Sequence, residues 1–81
     1  MDATDIDVAV AALVTRIIDE RDMSERSLAE KAGIPQSTLN RLLNGQRSMK
    51  VTQLEAIAGA LGMRASHLII LAEQTFEKES E

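Results

Sequence analysis

The sequence predicts an all-α, compact domain of five helices, and three observations carry that expectation. Apolar residues recur three and four places apart in successive segments from Ile6 to Ala72, the spacing that gathers them on one face of a helix. Gly33, Asn44-Gly45 and Gly62 interrupt the pattern at short intervals, each a stop signal behind a helix-forming run. No stretch alternates apolar and polar residues as a half-buried strand does, and there are no repeats or low-complexity linkers.

The first helix is expected from Asp5 to Arg21. Ile6, Val10, Leu13, Val14 and Ile17 form its inward stripe, Arg16 and Glu20 lie outside, and Asp5 and Asp7 favour its positive N-terminal end. The second is capped by Ser24 and runs to Ala32, with Leu28, Ala29 and Ala32 inward and Glu30 and Lys31 turned to water. Gly33 takes the left-handed conformation that ends it. The third runs from Pro35, whose fixed φ suits a first helical position, to Leu43, and buries Leu39 and Leu42. The fourth is expected to open on Thr52 and Glu55 in the S/T-x-x-E capping arrangement, to bury Leu54, Ile57, Ala58 and Leu61, and to stop at Gly62. The fifth begins between Arg64 and Ser66, with Leu68, Leu71, Ala72 and Thr75 as one stripe. At 81 residues the chain is read as a single domain, with a core over 5–76 and an acidic, frayed tail over 77–81.

Ser27 to Arg47 holds the most informative pattern: two short helices joined by a tight turn, the second with polar side chains on one face. This is a helix-turn-helix, the unit that lays its second helix in the DNA major groove. With Leu39 and Leu42 inward, Gln36, Ser37, Thr38, Asn40, Arg41 and Asn44 occupy the exposed part of that helix. The residue types suit base edges. Glutamine pairs bidentately with adenine N6 and N7, arginine with guanine O6 and N7, and serine accepts either partner.

Met23 to Ile69 resembles the DNA-binding domain of lambda-repressor and Cro type, the XRE family. The matching runs are S-E-R-S-L-A-E-K-A-G at Ser24 to Gly33, I-P-Q-S-T-L-N-R-L-L-N-G at Ile34 to Gly45, and L-E-A-I-A-G-A-L-G-M at Leu54 to Met63, followed by Leu68 and Ile69. The fourth-helix segment at the right distance is a signal independent of the helix-turn-helix itself. The resemblance implies that Gln36, Ser37 and Arg41 read bases, with Asn40 beside them. It implies phosphate contacts from the start of the second helix and from the loop after the third, which map onto Ser24, Arg26, Asn44, Arg47 and Lys50, with Thr38 added on the third helix. Ser24 serves equally as an N-cap. Glu25 departs from the family pattern, where glutamine is common: a carboxylate only accepts hydrogen bonds and is repelled by phosphate, so Arg26 stands in for it. Ile18 and Leu43 stand where several relatives place an Arg and Glu pair, and an aliphatic pair of suitable shape replaces such a pair as core.

Composition bounds the function. The net charge of −4 opposes binding to nucleic acid if taken as one number, but the charge is unevenly spread. Asp2, Asp5 and Asp7 lie at one end and Glu73, Glu77, Glu79 and Glu81 at the other, whereas from Lys31 to Arg64 the basic residues Lys31, Arg41, Arg47, Lys50 and Arg64 meet Glu55 as the one acidic residue. Phosphates respond to that local potential. Phe76 is the only aromatic residue, which leaves no stacking platform for single strands. There is no cysteine, no signal peptide and no apolar run long enough to span a membrane, in keeping with a cytoplasmic protein and no membrane partner. His67, the only histidine, has no cysteine companion for a metal site and no triad partners, so neither an enzyme nor a cofactor is expected. Asp19, Glu20, Asp22 and Glu25 lack calcium-loop spacing and read as a solvated surface.

Two functions of different class fit these features. The first is a sequence-specific regulator of double-stranded DNA, a repressor of phage or prophage kind that occupies an operator. The second is a protein-interaction module, for example an antitoxin whose acidic tail covers a partner. One reading helix covers few base pairs, so a homodimer on half-sites about one helical turn apart is expected for the first. Ile69, Ile70 and Phe76 of the fifth helix are its expected contact, since they need cover that a five-helix domain does not supply.

Overall fold

The computed structural model describes residues 5–80, with side chains described as far as Thr75. Among these residues the only regular elements are five helices: α1 (Asp5–Glu20), α2 (Glu25–Ala32), α3 (Gln36–Leu43), α4 (Val51–Ala60) and α5 (Ala65–Ser80). The all-α class and the order of the elements are as the sequence predicts.

Four helices end in the same way. Behind α1, α2, α3 and α4 the residues Asp22, Gly33, Gly45 and Gly62 take positive φ values of 54°, 69°, 69° and 74°. Each N–H returns to a carbonyl three residues back, and the next residue's N–H to one five residues back, as in Gly33 to Glu30 and Ile34 to Ala29. This paired bonding satisfies carbonyls that a helix end leaves orphaned and turns the chain sharply. Glycine enters that region without a Cβ clash. At Asp22 alone a side chain bears the cost.

Two helix starts differ from their expected places, by one residue at α3 and by two at α4. Pro35 is the N-cap of α3 and not its first helical residue: its φ of −56° and ψ of 139° are extended, and its carbonyl takes the first helical bond, from Leu39 N–H at 3.0 Å. The Thr52 and Glu55 box does not form. α4 starts at Val51 on an extended Lys50, whose N–H donates to Gln53 Oε1 at 2.9 Å, so the reciprocal bond of the box comes from Gln53 and Thr52 lies exposed inside the first turn. A lysine side chain has no acceptor to complete the box.

α1 packs against α5 and α3, α2 against α3 and α4, and α4 against α5, which turns away from it through 94°. Leu28, Leu39, Leu42, Ile57, Leu68 and Val14 are fully buried where these helices meet. The inward stripe of α1 runs through Val10, Leu13, Val14 and Ile18; Ile6 is 38% exposed at the rim and Ile17 and Leu54 are half-buried. Ile18 at 5% exposure and Leu43 at 8% both belong to the core, as expected for an aliphatic pair in place of an ionic one.

Candidate nucleic-acid interface

The exposed face of α3 follows from its three buried leucines. Leu39, Leu42 and Leu43 point into the core, and at about 100° per residue Ser37 and Arg41 come out on the opposite side, one turn apart. Gln36 and Asn40 lie on the flank nearer α2, and Thr38 on the flank nearer the loop to α4. Gln36, Ser37, Asn40, Arg41 and Asn44 are all exposed, and Thr38 is half-buried. The four residues expected to read bases therefore share one face. Arg41 lies in the last turn, where the helix dipole favours a cation.

Each flank has its own chemistry. Toward the loop, Thr38, Arg47, Ser48, Lys50 and Gln53 line an open cleft of about 220 Å³ with Leu42 at its floor. Three of the expected phosphate-contacting residues thus meet in one place. Arg47 and Lys50 are exposed, and Arg41 and Arg47 form no ion pair among the described residues. Guanidinium groups free of carboxylates remain available to an anion. The loop is tied to α1 by Met49 N–H, which donates to Asp7 Oδ1 at 3.0 Å.

Toward α2 the structure joins side chains that the sequence does not pair. Asn40 Nδ2 donates to Glu25 Oε2 at 3.3 Å, and Asn44 Nδ2 donates to Asn40 Oδ1 at 3.0 Å. Glu25 is half-buried, so the carboxylate that the family pattern does not account for has a partner within the protein. Ser24 caps α2, its Oγ accepting Ser27 N–H at 3.0 Å, and is exposed. Arg26 points to solvent and pairs with Glu30 at 3.6 Å, a surface contact worth little.

Ser48, Gln53 and Asp7 were not expected at this surface. Only Gln53 left a sequence signal, as the third residue beyond Lys50. The acidic group near the end of α1 stays dispersed: Glu20 pairs with Arg16 at 3.8 Å, Asp22 forms the turn, and Asp19 is exposed. His67 lies exposed on α5.

Relatives place this geometry. A family model described as Helix-turn-helix matches residues 15–68. The chain is 34% identical over 74 residues to the immunity repressor protein of Bacillus phage phi105; the match covers 91% of this chain and 50% of the repressor, so the chain spans half that protein's length. Two crystal structures of the clp gene regulator ClgR from Corynebacterium glutamicum share the fold. They superpose with TM-scores of 0.83 and 0.76 at 20% and 21% identity, covering 93% and 86% of this chain and 80% and 91% of theirs. The runs that fold into α2, α3 and α4 lie within the matched residues, and the chain belongs to the helix-turn-helix family of lambda-repressor and Cro type, a family of DNA-binding transcription regulators.

Proposed function

We propose that this domain is a sequence-specific binder of double-stranded DNA that acts as a repressor of phage type, laying α3 in the major groove of an operator. The observation that carries the reading is the composition of one surface: Ser37 and Arg41 opposite the buried leucines, Gln36 and Asn40 beside them, and the cleft of Arg47 and Lys50 on the flank. Base edges meet the first group and the sugar-phosphate backbone the second. Ser24, Arg26, Thr38 and Asn44 complete the backbone contacts. The phage immunity repressor among its relatives supports the repressor role.

The species on DNA is a homodimer whose two reading helices span half-sites about 34–36 Å apart. Ile70, 51% exposed on α5, and the half-buried Ile69 are its contact residues; Phe76, the third one expected, has its side chain outside the described residues. Selection from a randomised duplex pool, with sequencing of the bound fraction, tests the whole reading. A pseudo-palindrome with that spacing is the expected product. A bound pool no different from the input overturns it.

A further inference from the structure

The chain of side chains from Glu25 through Asn40 to Asn44 is not needed to hold α2 against α3, since Leu28, Ala29, Leu39 and Leu42 already pack there. All three side chains reach the surface on the α2 flank of the reading face. Its effect is electrostatic and falls on one group, the amide of Asn40. A lone asparagine amide can rotate half a turn and exchange its oxygen for its nitrogen. Here the carboxylate of Glu25 only accepts, so the group facing it has to be the NH₂, and Asn44 Nδ2 donates to the oxygen on the other side. The reversed amide would set oxygen against carboxylate and NH₂ against NH₂.

We propose that Glu25 is a positioning residue for sequence recognition: it locks the Asn40 amide in one orientation, so that one Nδ2 hydrogen and one Oδ1 lone pair are presented in a fixed order to an adenine edge. The proposal rests on the DNA-binding reading and deepens it. Adenine offers its N6 amino donor beside its N7 acceptor, and a bidentate pair forms only with an amide whose acceptor and donor match that order. Each atom of the Asn40 amide spends one bond inside the protein and keeps one for the base. The same carboxylate brings a negative charge close to phosphates, so Glu25 lowers affinity for every sequence while sharpening preference for some.

The test compares the parent chain with Glu25→Ala, Glu25→Gln, Asn40→Ala and the double variant Glu25→Ala/Asn40→Ala. Each is put through the randomised duplex selection and titrated with the selected and the random duplex, and urea melts establish that each is folded. Asn40→Ala is expected to erase an adenine preference at defined positions. Glu25→Ala is expected to weaken that preference about twofold at the same positions, because a released amide presents the matching order only half the time, while affinity for random duplex rises. Glu25→Gln, whose amide oxygen still accepts, is expected to restore part of it, and the double variant to be no worse than Asn40→Ala. Preference left intact in Glu25→Ala, or in Asn40→Ala, overturns the proposal. So does a loss spread equally over the positions that depend on Gln36 and Arg41, which marks a general loosening of α3. A parent that selects no sequence overturns the DNA-binding reading itself, and this inference with it.

Discussion

Asp7, in the first turn of α1, accepts a hydrogen bond from the backbone N–H of Met49 at 3.0 Å, across 42 residues of chain. Met49 precedes Lys50 and follows Arg47 by two residues, so a carboxylate from the acidic end of the sequence fixes the loop that carries the cations. The negative charge of Asp7 thus serves the basic surface. It supplies the acceptor that a half-buried loop amide requires.

Replacing Asp7 by alanine should cost about 1–2 kcal/mol, the range for a hydrogen bond to a charged group with partial exposure. Asp7→Asn, which keeps an acceptor, should recover most of it. Urea denaturation measures both. Equal stability of the parent and Asp7→Ala would show that the loop does not depend on this bond.

Asp22→Gly should stabilise the domain by about 0.5–1 kcal/mol. The left-handed turn at φ 54° strains a residue with a Cβ, and the relief exceeds the entropy that glycine adds to the unfolded chain. The other three turns of this kind already hold glycine, where substitution by alanine should have the opposite sign. Thermal melts of Asp22→Gly beside Gly33→Ala compare the two directions.

Arg41→Ala and Gln36→Ala should each lower specific affinity by about 1–3 kcal/mol and relax preference at a few base pairs, with a smaller change on random duplex. Both residues are exposed on the reading face, so the fold should be unaffected. Competition between selected and random duplex reads the effect. Unchanged preference in both variants places the reading surface elsewhere.

Arg47→Ala and Lys50→Ala should weaken binding to all sequences alike. Each lost phosphate contact should flatten the slope of log K against log salt by about one unit. Their shared cleft makes the two effects comparable in size. A slope equal to the parent's in both variants removes the cleft from the DNA-binding surface.

Ile70→Asp should leave the monomer folded and shift the dimer equilibrium toward monomer, because the side chain is 51% exposed and a charge there is costly only under a partner. Sedimentation across a concentration series, with and without selected duplex, decides it. One protomer per duplex at saturation in the parent rules out the dimer; a dimer that survives Ile70→Asp rules out this face alone.

The sequence by itself determined the five helices, nearly all their ends, and the polar face of α3. These are consequences of short-range geometry: a repeat of 3.6 residues, glycines at three turns, and leucines whose burial turns their neighbours outward. At the start of α4 the local signal misled, and the expected Thr52 and Glu55 box was wrong. Thr52 and Glu55 and the Lys50 and Gln53 pair offer starts for α4 two residues apart, and the structure takes the second pair, directly behind the Met49 amide held by Asp7. Only the tertiary structure set Glu25 against Asn40, Arg21 Nη1 on the Leu61 carbonyl at 2.9 Å, and Asp7 under Met49. Those partners lie 15 to 42 residues apart, and which of them meet depends on how whole helices cross. Their side chains sit at polar positions, where the hydrophobic pattern that built the helices carries no information about partners.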